Sequence, residues 1–139
     1  MNPYALLPLS SFLVNLFLLA YVWGAMGRRW EGTARAYVGL LASCCVWTLS
    51  DAICWGLVTR EGQAVLWLRG SAPFWLLAPM LVLNVVYEVT NRKRDRVFRA
   101  LAWGTAVAIV PAVFTNWVLV RAERFEWGFQ GRFGWLFPP

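Results

Sequence analysis

The stretch Asn91–Arg99, NRKRDRVFR, holds five of the thirteen Lys and Arg residues and is wedged between two long apolar runs. Cytoplasmic loops of membrane proteins collect Lys and Arg, whereas the short loops of the opposite face do not. Such a knot between two runs of spanning length sets an orientation. Working outward from it, four apolar segments emerge, at about residues 4–26, 36–58, 68–89 and 98–120. Each is long enough to cross a hydrocarbon core of roughly 30 Å as a helix.

The bulk composition agrees. Sixty per cent of the 139 residues are hydrophobic and 14% are charged, against about 45–50% and roughly 25% in a soluble globular chain. A soluble domain of this size cannot hide that much apolar surface. The net charge of +6 is concentrated in loops and has no aromatic-plus-basic recognition pattern beside it, so no nucleic-acid partner is expected. The fold class expected is an all-α integral membrane protein. Four transmembrane helices in an up-down bundle, ending in an aromatic interfacial tail over 121–139, make one domain over 1–139.

The first segment has no basic residue before it and is too long for a signal-peptide core. The charge follows it, at Arg28, Arg29 and Arg35. With Arg92, Lys93, Arg94, Arg96 and Arg99, the two inner loops carry eight cations. The outer segments carry five, at Arg60, Arg69, Arg121, Arg124 and Arg132. The expected topology is therefore multi-pass, with the N-terminus and the tail outside. The tail adds Trp127, Phe129, Phe133, Trp135 and Phe137. It has too few apolar residues for a fifth crossing.

Pro73 and Pro79 in the third segment and Pro111 in the fourth each remove a backbone donor and crowd the carbonyl four residues back. A bent or opened helix is expected near Trp75. Gly39 and Ser43 in the second segment, and Gly104, Ala108 and Ala112 in the fourth, form small-residue edges for close helix packing.

Chemistry is sparse. There is no histidine, and Cys44, Cys45 and Cys54 share one apolar run as small core hydrophobes, so neither a metal nor another cofactor is expected. No phosphate loop and no nucleophile–base pair is present, and catalytic residues are not expected. An ionised group at mid-helix costs at least ~2.5–3.5 kcal/mol and so needs a reason. Asp51 lies about 10 Å inside the outer end of the second segment. Arg69 opens the third on the same side, and an Asp51–Arg69 ion pair is expected. With Thr48, Thr115 and Asn116 this pair would line a small cavity open to the outside. Glu88, near the inner end, is expected to meet Arg92 one turn on. Asn15 and Asn84 supply further uncharged groups at membrane depth.

Several stretches carry a resemblance: MNPYALLPLSSFLVNLFLLAYVW (1–23), CVWTLSDAICWGL (45–57), WLRGSAPFWLLAPMLVLNVVYEV (67–89), VPAVFTNWVLV (110–120) and FEWGFQGRFGWLF (125–137). Their layout resembles the seven-helix N-terminal membrane region of bacterial sensor histidine kinases and related signalling proteins. The resemblance implies a bacterial inner membrane as the location, an outside N-terminus and stimulus sensing in or above the membrane. This sequence departs from it by stopping where a fifth crossing would begin, so a fragment or a stand-alone relative is expected.

Three functions compete. A sensory, signal-input module is expected first. A structural accessory subunit, packing in a larger membrane complex through its small-residue edges, is the alternative. A transporter would need a polar path through the inner half, where only Asn84 and Glu88 stand. Besides the bilayer, a second copy or another membrane protein is the partner expected.

Overall fold

The computed structural model describes residues 2–26, 32–115 and 119–133. A 3-10 turn, Pro3–Ala5, leads into α1 (Leu6–Met26), followed by α2 (Gly32–Gly56), α3 (Glu61–Val89) and α4 (Arg96–Phe114). An antiparallel hairpin of β1 (Leu119–Phe125) and β2 (Gly128–Phe133) closes the order. All four helices are long and apolar enough to cross a membrane. In hydrocarbon a helix meets its own backbone hydrogen-bonding needs, which water would otherwise share.

The burial pattern is that of a membrane protein. The buried residues of α2 are small: Ala36, Ser43, Cys45, Ser50, Ala52 and Cys54, with Leu41 the one larger exception. Large side chains such as Phe17, Trp103 and Phe114 point outward. Lipid solvates large apolar groups as well as a protein core does, so packing favours small residues that let backbones approach.

Helices neighbouring in sequence pack together: α1 on α2, α2 on α3, α3 on α4. Between α1 and α4 there is at most a marginal contact among the described residues. Among the described residues the four helices of the expected up-down bundle thus lie in an open row. Its tightest joint is α2–α3, which are antiparallel. The Ser43 hydroxyl donates to the Phe74 carbonyl (2.7 Å), and the Ser50 hydroxyl donates to the Trp67 carbonyl (3.1 Å).

Several boundaries differ from expectation. Helix α2 starts at Gly32, four residues before Ala36. Helix α3 starts at Glu61, seven before Leu68, because Glu61 in the first turn suits the helix dipole and Arg60 takes the extended N-cap conformation. Helix α3 passes through Pro73 and Pro79, and α4 through Pro111, without a break in helical assignment. Helix α4 ends at Phe114, where Thr115 turns extended, six residues short of Val120.

The tail is a hairpin rather than an irregular segment. Arg121 lies opposite Arg132, an unfavourable like-charge pairing. Glu123 answers it, binding both guanidinium groups at 2.6 Å. The chain turns through Glu126 and Trp127 into Gly128, whose φ of +136° only glycine adopts readily.

At the opposite end the basic knot is a folded turn. Asn91 takes a left-handed φ of +50° and Asp95 caps α4, accepting from the Phe98 amide at 2.8 Å. Arg94 donates to Asn84 (3.1 Å) and Glu88 (2.7 Å), with its guanidinium 5.6 Å from the Phe98 ring centre. The expected partner of Glu88 was Arg92. The left-handed residue ends the helical register before Arg92, and the reversing chain delivers Arg94 instead.

Candidate functional site

A cavity of about 460 Å³ lies between α2, α3 and the hairpin. From α2 come Trp47, Asp51 and Trp55, four residues apart and so on one face. From α3 come Leu68, Ser71, Ala72 and Trp75, the i, i+3, i+4, i+7 stripe of a single face. The hairpin supplies Trp127 and Phe129, with Gln130 and Gly131 beside them. Five aromatic rings and one carboxylate therefore enclose the space.

The hairpin is held in place by close packing. Ala122 and Phe129 pack on Ala64, with Val58, Val65 and Leu68 around them. Phe125 stacks on Trp127 at 4.9 Å between centroids and 6° between planes. Gly128 sits directly on α2, so close that a β-carbon there would lie 2.5 Å from Trp55 Cα. The N-terminus joins the same end, with the Asn2 side-chain amide donating to the Glu126 carbonyl at 3.0 Å.

Of the site residues expected from sequence, Asp51 lines the cavity. It stands one helical turn from the Trp47 indole, on the same face. The expected ion pair with Arg69 is not formed: the ion pairs among the described residues are Arg94–Glu88, Arg121–Glu123 and Arg132–Glu123. Arg69 is half-buried on α3 but lies off the lining stripe, whose next members are Leu68 and Ser71. Thr48 turns inward to its own helix, donating to the Cys44 carbonyl at 2.8 Å. Thr115 caps α4 and donates to the Pro111 carbonyl at 2.6 Å. Asn116 lies outside the described residues.

The packing residues divide similarly. Ser43 is buried and bonded to α3, and a β-carbon on Gly39 would reach Leu81 at 3.7 Å. Ala112 is fully buried against Ala72 of α3. Gly104 and Ala108 are exposed, with nothing within 4 Å of Gly104, so that edge meets no helix among the described residues.

Sequence reasoning did not bring the tryptophans together around one cavity, nor the tail over it as a roof. Trp47, Asp51 and Trp55 at strict i, i+4, i+8 spacing were the available signal, but indoles in a membrane chain read first as interface anchors. Among the described residues no group of three His, Cys, Asp or Glu stands ready to hold a metal. A second cavity of about 450 Å³, at the basic α3–α4 turn, carries Arg35, Glu88 and Arg94.

The family described as the N-terminal 7TM region of histidine kinase matches residues 7–133. The chain belongs to that family. Neither curated proteins nor solved structures give a match. The four long apolar helices fit part of a histidine-kinase 7TM region and place this chain in a membrane. In this 7TM-region chain the aromatic cavity is formed by the second and third helices together with the hairpin that follows the fourth.

Proposed function

We propose that the chain is a membrane-embedded signal-input module of a bacterial inner-membrane sensor, with its N-terminus and hairpin outside and the cavity around Asp51 as the receiving site. The observation that carries this reading is the cavity itself. A family of kinase sensor regions needs a place where a stimulus differs in affinity between two states. A concave, mostly apolar space with a few polar groups, here Asp51, Ser71 and Gln130, is the usual form of such a place. The N-terminus, the α2–α3 connection and the hairpin gather at one end, and the basic knot lies at the other. The positive-inside bias puts the knot in the cytoplasm and the cavity outside. The module is not itself catalytic in this reading, and its edges at α1 and α4 await a second copy or another membrane protein.

One experiment tests site and topology together. With Cys44, Cys45 and Cys54 replaced by Ala, Ser71→Cys is exposed to a charged, membrane-impermeant thiol reagent from either side. Spin labels at the inner ends of α1 and α4 report distance. Labelling from outside, with a shift in the inner-end distance once the adduct fills the cavity, is expected. Labelling from the cytoplasmic side alone refutes the topology. An outside adduct that leaves the inner ends unmoved favours the accessory-subunit reading instead.

A further inference from the structure

The cavity has a chemical character beyond its size. Among the described residues its one ionisable lining group is Asp51, and four of its walls are indoles, from Trp47, Trp55, Trp75 and Trp127. Indole is the aromatic face that attracts cations most strongly. A carboxylate at this depth is costly unless a positive charge faces it. No residue of the chain provides that charge by ion pairing among those described. The hairpin arginines Arg121 and Arg132 are both bound to Glu123. The Trp47 indole stands one turn from Asp51 on the same face, and a carboxylate offers about four acceptor positions. An acceptor therefore remains for a ligand.

We infer that the cavity binds an organic ammonium ion with apolar substituents, its charge facing Asp51 and its carbon atoms against the indoles. This rests on the cavity being the receiving site, and it names the ligand class of that site. A neutral apolar ligand would leave Asp51 without a countercharge. An anion would be repelled by it. A small hydrated metal ion would find one carboxylate among rings, far short of an oxygen cage. The ammonium group can come from a free amine or quaternary ammonium solute, or from a lipid headgroup.

The test uses the full chain in dodecyl maltoside micelles, which carry no ammonium group. Equilibrium dialysis compares choline with its neutral carbon isostere 3,3-dimethylbutan-1-ol and with the zwitterion glycine betaine. Dihexanoyl phosphatidylcholine against dihexanoyl phosphatidylglycerol separates lipid headgroup from free solute. Saturable choline binding is expected, at least about tenfold tighter than the isostere, and lost by a similar factor in Asp51→Asn and in Trp75→Leu. Tight binding of the phosphatidylcholine alone assigns the ammonium to lipid.

Equal binding of choline and the neutral isostere overturns the cation assignment while leaving the receiving site standing. Binding that survives both Asp51→Asn and Trp75→Leu removes the site from this cavity. No saturable binding of any probe, in a chain whose Ser71→Cys adduct still shifts the inner ends, also overturns the cation assignment alone. The comparison of charged and neutral probes needs only the unsubstituted chain, so a variant that fails to fold does not blunt it.

Discussion

Replacing Gly128 by Ala should lift the hairpin off α2 and unroof the cavity. Two costs act at this one residue. The φ of +136° is a conformation that costs a non-glycine residue of order 1–3 kcal/mol. The new methyl would stand 2.5 Å from Trp55 Cα and 3.2 Å from the Cys54 carbonyl oxygen, where carbon atoms prefer roughly 3.5–4.0 Å. Both neighbours are helix backbone and cannot swing aside, so overpacking adds about 1–3 kcal/mol. Even the lower ends sum to about 2 kcal/mol, close to thirty-fold in an opening equilibrium. Hydrogen–deuterium exchange over residues 119–133 reads this directly. Protection of the hairpin amides should fall at least about thirty-fold, while the Phe98 amide at the far turn is unchanged. Gly62→Ala, at a site with nothing within 4 Å, serves as the control and should leave the hairpin protected. Unaltered hairpin protection in Gly128→Ala would refute the packing argument, and with it the roofed cavity.

Ser43→Ala should destabilise the α2–α3 pair by about 0.6–1.7 kcal/mol, read as a lowered melting temperature in detergent, because the Phe74 carbonyl loses its side-chain donor. The Asp95 carboxyl is held below the usual carboxylate range by the Phe98 amide first and the Tyr87 hydroxyl second. Its capping contribution is therefore full above the unfolded value of about 3.9 and is lost as pH falls through the lower folded value. Phe98 amide protection should follow that acid limb in the natural chain and lose it in Asp95→Asn. Gly104→Leu should not lower the melting temperature, since nothing lies within 4 Å among the described residues and leucine is the better helix former; a drop would show that a further segment packs there.

The number and order of the helices were legible in the sequence because lipid imposes one rule on every spanning segment: length and apolarity together. The N-terminal shift of α3 to Glu61 was harder to read, since Arg60 and Glu61 look like loop charges until their cap and dipole roles are seen. Asp51 was found because a mid-helix carboxylate is conspicuous. Its partner was misjudged, because residue spacing gives the level of Arg69 along α3 but not the side of the helix it occupies. The hairpin was hidden by its composition. Arg121, Glu123 and Arg132 read as tail charge, and only the cross-strand register shows Glu123 serving both arginines. The roof depends on Gly128 meeting Trp55, a contact between residues more than seventy positions apart, which local pattern does not encode.

The two serine bonds between α2 and α3 fall seven residues apart on both helices, Ser43 to Phe74 and Ser50 to Trp67. Seven residues make about 10 Å of axis, so the pair is pinned at two heights. A piston stroke of one helix along the other would break both pins at once. Motion from the hairpin end to the basic turn is then cheapest in the flanking helices, with α2 and α3 as the keel against which α1 and α4 shift.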